Sequence, residues 1–183
     1  GRRVYCAIGD GESREGQIWE AIDMIADFQL TAVCPIVNCN GYGQSGSVSS
    51  QQSPGVLAKK LEAAGLEVRE IDGHSPREVR GALARHAELH SSADGHPMAV
   101  IARTLKGWGY ERCIVDGMHG KPLVEDKLEE AQVELERTAS MLEAAWAPED
   151  LQITKSSEVV RAIPDAPPAP SFREALSSVG SES

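Results

Sequence analysis

The chain has no apolar run approaching the ~20 residues that a membrane-spanning helix needs, so no membrane role is expected of it. Nor does it carry an excess of positive charge: 18 Lys and Arg stand against 28 Asp and Glu, a net charge of −10. A general nucleic-acid binder needs a basic stripe along the phosphates, and this balance argues against one. Its four cysteines, Cys6, Cys34, Cys39 and Cys113, show no CxxC spacing and no nearby His pair. The expectation is reduced core thiols in a cytoplasmic protein rather than a zinc site. The opening Gly1-Arg2-Arg3 leaves no room for a signal peptide before the first strand-like run. An initiating Met is also lacking, so the chain is expected to be processed or to be a piece of something longer.

What is present suits a soluble enzyme domain, since 183 residues suffice for one domain with a proper core. Val4 to Ile8 reads as a buried strand ending in Gly9-Asp10-Gly11. Ile18, Ala21, Ile22, Ile25, Ala26 and Leu30 then recur at helical spacing, with Ser13 as the expected cap and Glu15 in the first turn. Trp19 and Met24 are expected in the core. Val33 to Val37 is the second strand, and Pro35 inside it predicts an irregularity or a strand end. A Gly/Ser/Gln-rich loop from Gly41 to Ser53 is of the kind that lies over a site.

The alternation continues. Pro54 opens a short helix that Gly65 stops. Leu66 to Ile71 alternates as a strand, and Asp72-Gly73-His74 turns the chain. Ser75 and Pro76 cap and start another helix through Val79, Leu83 and Leu89. Met98 to Leu105 is a strongly apolar strand. This repetition predicts an α/β fold, a mostly parallel sheet with helices on both faces. A charged helix from Val124 to Trp146 carries Leu128, Leu135 and Leu142 as its expected buried stripe. Prolines at Pro164, Pro167, Pro168 and Pro170 predict a stiff linker. His86, His90 and His96 are expected on solvated surface rather than at a metal.

The glycine-rich turn after the first strand fails three phosphate or nucleophile patterns. Arg14 stands where a dinucleotide fingerprint needs its third glycine, Gln17-Ile18 follow where a Walker loop needs Lys and Ser or Thr, and no Ser makes a nucleophile elbow. What remains is a carboxylate, Asp10, between two glycines, answered after the next strand by Asn38 and Asn40. Carboxylate, amide oxygen and backbone carbonyl are hard ligands that suit Mg²⁺ or Ca²⁺ carrying a diphosphate. The carboxyl ends of adjacent strands are where open α/β sheets bind ligands.

The run Gly9-Asp10-Gly11-Glu12-Ser13-Arg14-Glu15-Gly16-Gln17-Ile18-Trp19-Glu20-Ala21 resembles the thiamine-diphosphate motif of transketolases, a GDG triplet followed downstream by an Asn. Spacing admits both Asn38 and Asn40. The segment Asn38-Cys39-Asn40-Gly41-Tyr42-Gly43-Gln44-Ser45 resembles the family's D-x-N-x-x-G-Q-S run and selects Asn40, with Asn38 in place of the opening Asp. Ile71-Asp72-Gly73-His74 is similar to an I/V-D-G-H strand end. Ala102-Arg103-Thr104-Leu105-Lys106-Gly107 is similar to A-[KR]-T-x-K-G. His119-Gly120-Lys121-Pro122-Leu123 is similar to H-G-K-P-L, with Met118 replacing the usual Trp before it.

The resemblance implies a three-layer αβα sandwich of the thiamine-diphosphate-binding fold, incomplete at the N-terminus, over residues 1–146, with a Pro-rich linker and tail over 147–183. It implies that Asp10, Asn40 and the Tyr42 carbonyl hold Mg²⁺ (or Ca²⁺), and that Gly11 lets its N–H approach the diphosphate. Asn40 and Lys106 would also contact the cofactor, and His119 would touch cofactor and sugar substrate as the catalytic residue. Glu15 would sit near a dimer contact, and His74 would be a structural hydrogen-bonder. The implied reaction is transfer of a two-carbon ketol unit between sugar phosphates in the pentose phosphate pathway. The domain that holds the aminopyrimidine is not in this sequence, so a homodimer or a complementary pyrimidine-binding chain is the expected partner. Two alternatives stand beside this reading. One is another thiamine-diphosphate enzyme, a deoxyxylulose-phosphate synthase or a 2-oxo-acid dehydrogenase component, which the GQS and HGKPL runs disfavour. The other is a non-catalytic remnant of the fold.

Overall fold

A computed structural model describes residues 2–44, 46–113, 119–124 and 126–143. The linker and tail, Ser45 and Met118 lie outside the described residues. Four strands, β1 (Val4–Gly9), β2 (Val33–Cys39), β5 (Glu67–Asp72) and β6 (Met98–Arg103), form one sheet in the order β1-β2-β6-β5, every pairing parallel. Two short strands, β3 (Tyr42–Gly43) and β4 (Gly46–Ser47), pair antiparallel as a hairpin within the glycine-rich loop. The helices are α1 (Gly16–Asp27), α2 (Pro54–Ala63), α3 (Pro76–Ser91) and α4 (Asp126–Glu143).

The direction of travel explains the layers. From β1 to β2 to β5 the chain moves one way across the sheet, and from β5 it steps back to insert β6. Right-handed crossovers therefore place the helix after β5 on the face opposite the other two. The packing agrees. Ile22 and Ile25 of α1 and Leu57, Ala58 and Leu61 of α2 meet Val37, Cys39, Ala99 and Ile101 on one face. Ala82 and Leu89 of α3 meet Cys34, Met98 and Val100 on the other. Odd and even positions of the central strands thus feed two cores, which is the three-layer sandwich that the alternation predicts.

Several local expectations change. Pro35 neither ends nor breaks β2, which runs from Val33 to Cys39. The β6 pairing begins only at Ile36, so the ladder accommodates the missing N–H. Ser13 does not cap α1: its hydroxyl donates to the Asp10 carbonyl at 2.6 Å, and the cap position falls to Glu15. Trp19 packs against the core, but Met24 is 56% exposed. His86, far from solvated, is fully buried under the Tyr5 ring, with Nε2 donating to the Thr31 carbonyl at 2.9 Å. Burial pushes its pKa down, and the imidazole is neutral. His90 is partly buried, its Nδ1 3.2 Å from the Thr31 hydroxyl, whereas His96 is exposed. Of the cysteines, Cys34 and Cys39 are core thiols raised to about 11 by burial, whereas Cys6 is exposed.

The leucine stripe of α4 is not its buried face either. Leu128 and Leu135 are about half exposed, and the helix is anchored instead by buried Ala131 and by Glu130, which accepts from Tyr110 at 3.3 Å and Arg112 at 3.0 Å. The other terminations follow the sequence. Gly65 adopts φ +96° after α2. Ser75 Oγ accepts from the Glu78 N–H at the start of α3, with Pro76 in the first turn.

Candidate functional site

Asp10 sits just beyond β1 and is 1% exposed. Its two carboxylate oxygens serve two different loops. Oδ1 accepts from the Gly11 N–H at 2.7 Å, and Oδ2 accepts from the Gly41 N–H at 2.6 Å, across to the turn after β2. Its own N–H donates to the Asn38 carbonyl at 3.1 Å, continuing the β1–β2 ladder by one step. Charge-assisted bonds from backbone amides to a carboxylate are among the stronger ones a protein makes. They clamp the two strand ends together and fix the carboxylate's orientation.

The clamp depends on glycine at one point. A Cβ on Gly11 would lie 2.9 Å from the Gly43 Cα and 3.9 Å from the Tyr42 carbonyl oxygen. The backbone after β1 and the β3 strand are therefore in direct contact, with the Tyr42 carbonyl beside Gly11. The Gly11 N–H is turned to Asp10, so here glycine serves the approach of the loops and not an outward-facing donor.

Asn40 completes the set through an Asx turn, its Oδ1 accepting from the Tyr42 N–H at 2.9 Å. An amide oxygen has two lone pairs, so one remains for a cation. Asn38, the competing asparagine, lies on β2 opposite Gly9, and its Oδ1 accepts from the Thr104 hydroxyl. That bond ties β2 to the end of β6. The departure from Asp at this position thus keeps a structural acceptor.

The ends of β6 and β5 reach the same crevice. Lys106 donates to the Gln44 carbonyl, lies 5.6 Å from the centre of the Tyr42 ring and sits 3.4 Å from His119 Nδ1. As Lys Nζ can only donate, the contact makes Nδ1 the acceptor and leaves the ring proton on Nε2. His74 accepts at Nε2 from the Leu105 N–H at 2.8 Å and stacks on Trp108 with centroids 4.2 Å apart. It holds the Lys106 loop from behind. Gly73 allows this, because a Cβ there would stand 2.5 Å from Thr104 Cγ2. Asp10, Gly11, Asn40, Tyr42, Lys106 and His119 are therefore joined by a chain of contacts across three loops at the carboxyl ends of the strands. Glu15 takes the cap position of α1. Thr104 and Gln44 stand within the quoted motifs without a role of their own, and Trp108 stands outside them; their contributions are made by one hydroxyl, one backbone carbonyl and one ring face.

Among the described residues no group of three or more His, Cys, Asp and Glu side chains could hold a metal ion. The oxygen donors of Asp10, Asn40 and Tyr42 are of a different kind, one carboxylate with two neutral oxygens. They fit a hard divalent cation whose remaining ligands come from phosphate or water.

The family described as "Transketolase, thiamine diphosphate binding domain" matches residues 1–147. The chain belongs to the transketolase family. Human transketolase is 35% identical over 129 residues, covering 70% of this chain and 20% of that protein. Mouse transketolase-like protein 2 is 33% identical over 126 residues, 68% of this chain and 20% of the relative. The chain thus spans about a fifth of the length of these curated relatives. The crystal structure of transketolase from Campylobacter jejuni superposes with a TM-score of 0.61 over 87% of this chain and 28% of that one, at 24% identity. That likeness establishes the fold, a mostly parallel α/β sandwich shared with transketolases. No helix among the described residues is long and apolar enough to cross a membrane.

Proposed function

We propose that this chain carries the metal- and diphosphate-anchoring part of a transketolase site. The reaction is transfer of a two-carbon ketol unit from a ketose phosphate to an aldose phosphate, with thiamine diphosphate and Mg²⁺, in the cytoplasm. The pyrimidine end of the cofactor is held by a complementary chain or a dimer partner. What supports the reading is the buried Asp10 carboxylate, fixed by the Gly11 and Gly41 amides beside the Tyr42 carbonyl.

In this scheme Asp10, Asn40 and the Tyr42 carbonyl hold the magnesium ion, and Ca²⁺ substitutes on the same oxygen set. Asn40 lines the diphosphate, and Gly11 lets the two loops close beside it. When bound, thiamine diphosphate supplies the carbanion chemistry. Lys106 offsets phosphate charge from the β6 end. His119, with its proton on Nε2, donates to a substrate or cofactor oxygen or moves a proton there. Glu15 and His74 act as supports.

Calorimetric titration of thiamine diphosphate with Mg²⁺ tests this, on the chain alone and with its complement. Binding is expected to be weak alone and to appear with the complement. Tight binding and ketol transfer by the isolated chain would overturn the incomplete-site reading.

A further inference from the structure

The turn that presents Lys106 is held at both ends by one side chain. The Trp108 N–H donates to the Leu105 carbonyl at 3.2 Å and closes a four-residue turn from Leu105 to Trp108. Gly107, its third residue, has φ +77°, the positive value that a type II turn takes there, and Lys106 occupies the second position. His74 meets both ends. Its Nε2 accepts from the Leu105 N–H at 2.8 Å, and its ring stacks on Trp108 with centroids 4.2 Å apart and planes inclined by 13°. The residue before the turn is pinned as well: the Thr104 N–H donates to the Cys39 carbonyl at 3.0 Å, and its hydroxyl donates to Asn38. From this frame the Lys106 side chain reaches the Gln44 carbonyl.

His74 is itself placed by backbone bonds. Its N–H donates to Asp72 Oδ1 at 2.9 Å, and the Gly73 N–H donates to the Arg103 carbonyl at 2.8 Å. The imidazole therefore belongs to the end of β5, and the turn it holds belongs to the end of β6. A backbone N–H can only donate, so Nε2 carries no proton in this arrangement and the ring proton sits on Nδ1. A protonated ring has no acceptor nitrogen left. It would set N–H against N–H at Leu105 while keeping its face on Trp108. The charged groups on the elements around it are Asp72 and Glu78 on its own side, and Lys106 and the Glu70-paired Arg103 on the β6 side.

We propose that His74 is the positioning residue of Lys106: one neutral imidazole fixes both ends of the turn, and so the place at which the ammonium group meets the diphosphate. This rests on the reading of Lys106 as the counter-charge to phosphate and adds a residue that acts on it through the main chain. The two holds can be separated by substitution. Gln places an oxygen acceptor near the Nε2 position, without the ring and without a proton to gain near neutrality. Phe keeps an aromatic face for Trp108 and has no acceptor.

Two readouts on the full chain need no cofactor: exchange protection of the Leu105 amide, and the rate at which an N-hydroxysuccinimide ester acetylates Lys106. At about pH 8, His74→Phe should lower Leu105 protection and speed Lys106 acetylation, each roughly fivefold, as loss of one net hydrogen bond implies. His74→Gln should stay near wild type in both. At about pH 5, below the range in which histidines ordinarily titrate, the wild type should lose Leu105 protection and His74→Gln should keep it. The third readout is Mg²⁺-dependent affinity for thiamine diphosphate in the assembly with the complementary chain. His74→Phe should weaken it roughly fivefold, His74→Gln should restore it, and in a Lys106→Ala background His74→Phe should cost nothing further. The proposal is overturned by Leu105 protection that ignores His74→Phe, by protection that falls with pH equally in His74→Gln, by unchanged Lys106 acetylation, or by an affinity loss that persists beside Lys106→Ala. A wild-type assembly that binds no cofactor would instead overturn the diphosphate reading, and the two cofactor-free readouts would still decide this one.

Discussion

Replacing Gly11 with Ala tests whether the contact between the two loops holds the site together. The Gly11 backbone, φ −62° and ψ −41°, is one any residue adopts. On that ground alone the change should stabilise the fold by ~0.4–1 kcal/mol through the unfolded chain. Against this, the new Cβ would stand 2.9 Å from the Gly43 Cα, where carbon atoms prefer about 3.5–4.0 Å. The atom in the way is backbone and has no rotamer to change. Gly43 is two residues from Gly41, whose N–H reaches Asp10 at 2.6 Å, so relief by moving β3 lengthens that bond. Overpacking of this kind costs about 1–3 kcal/mol. The steric cost is therefore the larger effect, and a net loss of about 1–2 kcal/mol is expected, roughly 2–8 °C in Tm for a chain of this size. Gly81 in α3 is the control, because a Cβ there meets nothing within 4 Å. Gly81→Ala should gain up to about 1 kcal/mol from helix propensity. Thermal unfolding and amide exchange at Gly41 are the assays. A Gly11→Ala variant that melts no lower than wild type, with Gly41 equally protected, would refute the reasoning.

Three further outcomes are expected. Gly73→Ala, with its Cβ 2.5 Å from Thr104 Cγ2, should disturb the Thr104–Asn38 bond and lower stability by about 1–3 kcal/mol in urea titration. His86 has a folded pKa below its ordinary 6.5, so the unfolded chain takes up the proton first. Stability should be complete above that value and fall as pH drops below it, and His86→Leu should flatten the profile in this window. Glu67 is held down to about 2 from 4.5, by hydrogen bonds from Arg85 foremost and also from Arg69. Its contribution should be present above pH 4.5 and be lost between there and about 2, a loss that Glu67→Gln removes from the acid unfolding curve.

The strand–helix alternation was legible because its signals are local: period-two apolar runs, a Ser-Pro helix start, a glycine stop. The site loops were legible as motifs because glycines and oxygen donors occur there at fixed separations. What could not be read was which face of an element meets another. Nothing in the spacing of His86 distinguishes a surface histidine from one buried under Tyr5, which lies 81 positions earlier in the chain. Leu128 and Leu135 form a regular stripe, yet Ala131 is the buried contact of α4, since a small residue permits close approach. Ser13 looks like a helix cap but donates to Asp10, because the three-residue turn Glu12–Arg14 intervenes before α1. Met24 and Cys6 looked like core residues by type, yet both side chains are exposed.

The central claim is that Asp10 grips a metal-bound diphosphate. Calorimetric titration of thiamine diphosphate with and without Mg²⁺, into the complete assembly carrying wild-type Asp10 or the Asp10→Asn change, tests it most directly. An amide has one acceptor oxygen for the two N–H groups of Gly11 and Gly41, so the variant should also unfold about 1–3 kcal/mol more easily and must be compared where it is still folded. The account predicts that Mg²⁺-dependent affinity falls at least roughly tenfold in the folded variant. Equal Mg²⁺-dependent affinity in the two proteins would contradict it.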